Sequence, residues 1–434
     1  MLSEKARQDL EKQGYRVVGT HSAVKTCGWT KNMLRGRGGC YKLKFYGIMS
    51  HQCLQMTTSF SCANRCTFCW RGYKAPVSKE WKWGVDEPAI IIDGSKKAHH
   101  SLLTGFGGHD EVLKQVYEQS KDVQHVALSL TGEPIIYPKI NELIRLFDQE
   151  GISTFIVTNA QYPEQIRELS TVTQLYISLD APNKELLKKV DVPLFADYWE
   201  RLNQSLSYLT EKKQRTCIRI TAIKSLNMVE PWNYAALIRK GSPDFIEVKS
   251  YMHVGASQQR LTKEHMPSHE EVVAFTKEIL EHLPDYELVA EHIPSRVAMV
   301  AKKAFKKKAK GKDGKIMEKW CTWIDFPKYR KLVLSGKEFT ADDYLKETPA
   351  ASVGISGKGT PTKEESTVRR ERVRQRQKAI AAKRPAVKKV QSNQRAENPK
   401  SNARRKNIRA KDVLKKSMIE ADEKTAELEF WKRA

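Results

Sequence analysis

Apolar and polar positions along this chain follow two alternating periods. Cys53 to Phe60 alternates as a strand does, and Val123 to Leu130 is an apolar run ending in Thr131-Gly132-Glu133-Pro134. Lys139 to Gln149 then switches to helical spacing through Ile140, Leu143, Ile144 and Phe147. Ile152 to Thr158 and Gln174 to Leu179 read as strands, the second leading into Asp180-Ala181-Pro182. Leu194 to Lys212 reads as a long amphipathic helix. Cys217 to Ile223 and Phe245 to Lys249 complete six strands, with helical runs at Trp232 to Arg239 and His269 to Leu283. Strands alternating with helices predict an α/β fold whose parallel strands are joined by right-handed crossovers. Six such units suit an open, partial (β/α)6 TIM-like barrel, and functional residues collect where its strands end.

Composition adds a polar, basic character. Apolar residues make up 40% of the 434 and charged residues 29%, with a formal charge of +25. Residues 355–434 carry 24 Lys and Arg against 10 Asp and Glu, a surplus of 14 that leaves +11 for the first 354. Both parts are therefore basic, as expected of a nucleic-acid partner. No apolar stretch approaches the roughly 20 residues that cross a bilayer, so no membrane partner is expected. The charged opening Met1 to Arg7 is not a signal peptide, which predicts a reducing, cytoplasmic setting. After Gly354 the composition changes. Ile355 to Thr367 reads as a linker, Val368 to Ala410 as a basic segment too polar to fold alone, and residues 411–431 as a possible terminal helix. The expected organisation is an N-terminal segment over 1–55, a barrel over 45–300, a core extension over 301–354 that contacts RNA, and a largely disordered basic tail over 355–434.

Cysteines supply the chemistry. Cys62-Ala63-Asn64-Arg65-Cys66-Thr67-Phe68-Cys69 places three thiols in one loop directly after the first strand. Three close thiols hold three corners of a four-iron cluster and leave the fourth iron open to a small molecule. Structural zinc is the alternative, but it favours a fourth nearby Cys or His. Cys27, Cys40 and Cys53 follow one another at intervals of thirteen residues upstream. They read as ligands of a second cluster, with disulfides as the competitor. Cys217, in a strand, and Cys321, between tryptophans, read as buried thiols.

The two triads, the run Cys62 to Ala75 and Cys321-Thr322-Trp323-Ile324-Asp325 together resemble the 4-demethylwyosine synthases of the wyosine tRNA-modification pathway. These belong to the radical S-adenosylmethionine superfamily, and the resemblance covers residues 20–354. It implies a barrel of the radical S-adenosylmethionine type, two [4Fe-4S] clusters and S-adenosyl-L-methionine as cofactors, and a lyase reaction. In that reaction N1-methylguanosine at position 37 of tRNA(Phe) condenses with pyruvate to form a tricyclic base. Twenty-six residues precede Cys27, so the chain resembles the shorter archaeal type without a flavodoxin domain. That implies an external electron donor, flavodoxin or ferredoxin. Thr131, Gly132 and Glu133 stand where the superfamily recognises the methionine amino group, with Thr in place of a first Gly. Asn159, Ser178 and Asp180, at the next strand ends, are candidates for ribose or carboxylate contacts, although such residues also cap helices. Phe68 and Trp70 could stack on adenine or equally pack on the barrel wall.

Lys42, two residues after Cys40, is implied by the resemblance to meet pyruvate. Its amine can condense with the ketone, or its ammonium can simply balance the carboxylate. An anticodon-loop base can be turned out into the barrel mouth. Trp70, Tyr73, Tyr251 and Trp323 are candidates to stack on it, and Lys249 and His253 to contact phosphate or base. The runs Lys302-Lys303 and Lys306-Lys307-Lys308 are candidates to neutralise phosphates. Two rival readings keep the cysteines. One is a radical enzyme acting on a peptide or small metabolite, and the other is a metal-dependent RNA-binding protein without catalysis.

Overall fold

A computed structural model describes residues 2–72, 75–310 and 316–355. Within it the six expected strands exist, are parallel and stand in chain order. They are β3 (Cys53–Thr57), β4 (His125–Leu128), β5 (Ser153–Thr158), β6 (Gln174–Ser178), β7 (Arg215–Ala222) and β8 (Phe245–Ser250). The register sets Tyr176 opposite Cys217, Cys217 opposite Phe245, and Arg219 opposite Glu247. Four more strands extend the sheet to ten, all joined antiparallel. At one edge β1 (Tyr15–Val18) and β2 (Ser22–Lys25) form a hairpin on β3. At the other, β9 (Tyr286–His292) and β10 (Val297–Lys302) add a hairpin to β8. β1 and β2 are four residues each, too short to display a period.

Strands covered on both faces become almost continuously apolar. One face carries Ile156, Leu175, Ile177, Ile218, Ile220 and Ile246, packed under helices that supply Leu143, Phe147, Leu206 and Ile238. The opposite face lines the lumen with Phe155, Tyr176, Cys217, Phe245 and Met299. Residues 301–354 close the lumen floor with Phe305, Trp320, Ile324, Tyr329 and Tyr344. Arg215 ties that floor to β7, donating from Nη2 to the Thr322 carbonyl at 2.7 Å and from Nε to Gln174 at 3.1 Å. Its guanidinium also lies 4.4 Å from the Phe245 ring centre, so the buried cation is held by two hydrogen bonds and a ring face, while Nη1 has no hydrogen-bond partner.

Two local readings change. The helix expected over 194–212 runs only Tyr198–Leu209. Asp197 stands at its N-cap, and the preceding helix ends at Val192, left-handed with φ 45°. Leu194 instead reaches the cysteine loop, its N donating to the Ala63 carbonyl. Cys321, expected in the core, is only half-buried, its Sγ 3.9 Å from the Lys319 carbonyl. Among the described residues no helix is long and apolar enough to cross a membrane. Tyr73 and the linker, basic tail and terminal helix read over 356–434 lie outside the described residues.

Candidate active site between two thiol triads

The loop of Cys62, Cys66 and Cys69 leaves the end of β3 and is held from two directions. From the C-terminal end of the helix Lys184–Asp191, the Val190 carbonyl accepts from Thr67 N at 2.8 Å and the Asp191 carbonyl from Arg65 N at 3.0 Å. Asn64 Nδ2 donates to Asp191 Oδ2 at 3.1 Å, and Leu194 N donates to the Ala63 carbonyl at 2.8 Å. From the β8 side, Arg260 donates to the carbonyls of Thr67 (2.8 Å), Cys69 and Arg71 (3.3 Å). A guanidinium fork matched to three carbonyls fixes a loop that has no secondary structure of its own. The three thiols act on one another electrostatically. Cys66 and Cys69 line a small cavity together with Arg65, Arg71, Val77 and Arg260. Burial pushes the Cys62 thiol up to about 11, opposed by the nearby Arg71 cation.

The Thr131-Gly132-Glu133 turn stands beside this loop. Gly132 has φ +66°, and a Cβ there would lie 1.9 Å from the Ser59 carbonyl oxygen. Only glycine permits that approach, so the turn rests on Gly132 and the Thr at 131 is tolerated. Glu133 N donates to the Ser61 carbonyl at 2.8 Å, locking the turn to the cysteine loop. Its carboxylate is 2% exposed. Oε2 accepts from Asn159 N at 2.9 Å, while Oε1 has no hydrogen-bond partner. Burial pushes the carboxyl up to about 7. Asn159 bridges the two parts, its Nδ2 lying 3.4 Å from Cys62 Sγ.

The second triad forms at the other side of the lumen. Cys27 and Cys40 each precede a short helix, Gly28–Leu34 and Tyr41–Tyr46, and Cys53 opens β3. The three thiols act on one another and all feel the Lys42 cation. Burial pushes Cys40 and Cys53 each up to about 12. Lys42, on the first turn of its helix, points into the lumen with Nζ 4.3 Å from the Tyr176 ring centre and 5.9 Å from Phe155. Thus the structure gathers all six predicted thiols into two groups and sets Lys42 beside one and Glu133 beside the other.

Other expected residues divide. Ser178 lines the lumen, in register with Arg219. Asp180 is buried and its Oδ1 accepts from Thr221 N at 3.0 Å, so its carboxylate serves the strand end. Thr131 turns its carbonyl to the Thr57 hydroxyl at 2.6 Å. Trp70 stacks on Tyr15 with centroids 5.7 Å apart, and Phe68 packs against a small apolar group with Ile223 and Tyr251. Tyr251 is itself buried, its hydroxyl 2.9 Å from Ser257, so it presents no face for a base. His253 Nε2 meets the Leu261 carbonyl at 3.0 Å, and Trp323 Nε1 donates to the Lys44 carbonyl at 3.0 Å. Lys249 is no phosphate contact, since it is buried beside the lumen, where burial and Arg219 push its ammonium down to about 7. The lysine run 306–308 lies on a strand, Lys306–Lys310, paired with Ile316–Trp320. There Lys306 pairs with Glu287 at 3.2 Å and Lys307 with Asp342 at 3.2 Å, which reduces the charge they offer.

Sequence reasoning missed Arg71, Asp191, Arg260, Arg219 and Glu247. Arg71 carried a signal, standing two residues after Cys69. The other four are brought in by loops and strands distant in sequence.

The residues present fit a cluster carrying a bound amino acid. The triads contain no disulfide, since all eight cysteines are free. Among the described residues no group of three Cys, His, Asp or Glu side chains closes around one ion. Zinc needs sulfurs about 2.3 Å from a single centre, whereas a four-iron cube spreads them over three metal corners. Glu133 Oε1, buried and unpartnered, supplies the acceptor that an ammonium group requires.

Comparison with known proteins agrees with this geometry. Residues 56–238 match the radical SAM superfamily and residues 240–302 match wyosine base formation. The S-adenosyl-L-methionine-dependent tRNA 4-demethylwyosine synthase TYW1 of Xenopus laevis is 47% identical over 356 residues, 80% of this chain and 47% of that protein. The Schizosaccharomyces pombe synthase is 47% identical over 382 residues, 86% of this chain and 54% of that protein. The chain thus spans about half the length of the curated relatives it matches. Among solved structures, TYW1 with a lysine-pyruvate adduct bound is 36% identical with TM-score 0.63, covering 70% of this chain and 97% of that one. An archaeal TYW1 crystal structure is 33% identical with TM-score 0.58, covering 70% and 98%. On the thiol triads, the radical SAM fold and these likenesses, the chain belongs to the TYW1 family of tRNA 4-demethylwyosine synthases.

Proposed function

We propose that this chain is a lyase that condenses N1-methylguanosine at position 37 of tRNA(Phe) with pyruvate to form 4-demethylwyosine. The observation that carries the reading is one lumen flanked by two thiol triads, with Lys42 projecting into it. Cys62, Cys66 and Cys69 would hold one [4Fe-4S] cluster, and Cys27, Cys40 and Cys53 a second. With S-adenosylmethionine bound, the first would supply a 5′-deoxyadenosyl radical able to take hydrogen from the N1-methyl group.

The chain's own residues do the rest. Glu133 Oε1 accepts from the methionine ammonium while Oε2 stays on Asn159. Lys42 condenses with the ketone of pyruvate and holds its central carbon in the lumen, a reading supported by the lysine-pyruvate adduct of the related structure. The aromatic walls of Phe155 and Tyr176 keep water from that carbon. Loss of the carboxyl carbon and closure by the exocyclic amine then complete the ring. The target base lies in a single-stranded loop and can be extruded to the mouth. The basic surplus of the chain favours the phosphates around it. Electrons come from a flavodoxin or ferredoxin-type donor, and the reaction runs in the cytoplasm, where the thiols stay reduced. The test is incubation of the reduced, iron-loaded protein with N1-methylated tRNA, S-adenosylmethionine and pyruvate labelled at its methyl carbon. Label in a tricyclic base supports the reading. Label confined to free pyruvate, with 5′-deoxyadenosine formed, overturns it.

A further inference from the structure

Beside Lys42 the lumen holds a cation and an anion that the scheme above leaves idle. Arg219 and Glu247 are direct partners on adjacent parallel strands, one rung toward the mouth from Cys217 and Phe245. Glu247 is fully buried. Its Oε1 accepts from the Tyr46 hydroxyl at 2.9 Å, the Tyr41 hydroxyl lies beside the carboxylate, and Oε2 makes no hydrogen bond. Arg219 is likewise buried at its Nε, which has no acceptor. Lys42, Arg219 and Glu247 all bear on one side chain, the Cys217 thiol. Buried polar atoms without partners are costly, and in a native lumen they mark a place for a ligand. A free donor and a free acceptor side by side ask for a ligand with an anionic end and an exchangeable proton. A 2-oxo acid forming an imine has both.

We propose that Arg219 anchors the carboxylate of pyruvate and that Glu247 relays the protons of imine formation at Lys42. The proposal rests on the reading of Lys42 as the residue that takes pyruvate. In the addition step the Lys42 nitrogen forms a bond to the ketone carbon, and the C–O π pair moves onto oxygen. Glu247 takes one proton from the added nitrogen and gives it to the alkoxide, then takes the second nitrogen proton and gives it to the resulting hydroxyl. The C–O bond then breaks, water leaves, and the nitrogen lone pair forms the C=N bond. Nothing is oxidised or reduced, and Glu247 ends in its starting state. Tyr46 keeps the carboxylate turned toward the lumen, acting as a positioning residue.

The test traps the imine in the full-length protein with borohydride and locates it by peptide mass analysis. Pyruvate is compared with methyl pyruvate, which keeps the ketone and lacks the charge. The wild-type chain should prefer pyruvate, and Arg219→Met should lose that preference by roughly tenfold to a hundredfold, the size of one charged hydrogen bond. A preference is a ratio, so it does not depend on how much of a variant folds. Arg219→Lys should keep part of it. Glu247→Gln should slow trapping at saturating pyruvate while leaving the pyruvate concentration for half-trapping unchanged. If Arg219→Met retains the wild-type preference, or Glu247→Gln traps at the wild-type rate, the proposal falls while the reading of Lys42 stands. If the wild-type chain is never labelled at Lys42, that reading falls first.

Discussion

Replacing Glu133 by Gln removes a charge from the point where the chain is expected to grip S-adenosylmethionine. In the present structure Oε2 is used by Asn159 N at 2.9 Å and Oε1 is buried without a partner. A Gln amide oxygen can replace only one of these acceptors, and its NH2 group would face the incoming ammonium. Loss of one charge-assisted hydrogen bond costs about 1.5–3 kcal/mol, or roughly tenfold to a hundredfold in affinity. The same burial raises the carboxyl from 4.5 to about 7, which gives a pH signature. A group half-ionised near 7 is about one-tenth ionised at pH 6, so wild-type affinity should be about fivefold weaker at pH 6 than at pH 7. In the variant that dependence should vanish. The effect on folding has the opposite sense. A raised acid binds more protons folded than unfolded, so wild-type stability falls as pH rises from about 4.5 to about 7. Glu133→Gln should flatten that slope. Equilibrium binding of S-adenosylmethionine to iron-loaded protein at pH 6 and 7, with thermal melts beside it, reads both. Wild-type affinity and pH dependence in the variant would refute the reasoning, since the carboxylate would then face no ligand.

Three other substitutions or deletions probe separate parts. Gly132→Ala forces a left-handed backbone costing about 1–2 kcal/mol and sets a methyl against the Ser59 carbonyl, so its melting temperature should drop; an unchanged melt contradicts the close approach. Arg260→Ala frees the carbonyls of Thr67 and Arg71. It should speed loss of iron from the first triad to a chelator while sparing the second, as followed by absorbance; equal rates at both triads contradict the clamp. Deleting residues 360–434 removes much of the positive surplus, so tRNA affinity and its salt slope should fall with iron content unchanged; undiminished affinity would assign RNA binding to the core alone.

The six-strand core was legible because each strand carries an apolar run and each crossover a helical stripe. The edge hairpins were not, because β1 and β2 are four residues long and pair antiparallel outside the repeating unit. The thiols were legible from spacing, and Gly132 with Glu133 from their place after a strand. What spacing could not show is pairing across the lumen. Arg219 and Glu247 are 28 residues apart and meet only through strand register. Arg260 lies 191 residues from the Cys69 carbonyl it holds. Lys249 read as a phosphate or base contact at a strand end and is buried, on β8 where β10 pairs alongside it, Val297 opposite Lys249.

Iron and sulfide should be counted in oxygen-protected protein alongside two variants, one with Cys27, Cys40 and Cys53 all changed to Ala and the other with Cys62, Cys66 and Cys69 changed. The account predicts about eight irons in the unaltered chain and about four in each variant, with S-adenosylmethionine perturbing the iron spectrum only where Cys62, Cys66 and Cys69 remain. About four irons in the unaltered chain, or none lost when the upstream triad is removed, would contradict it.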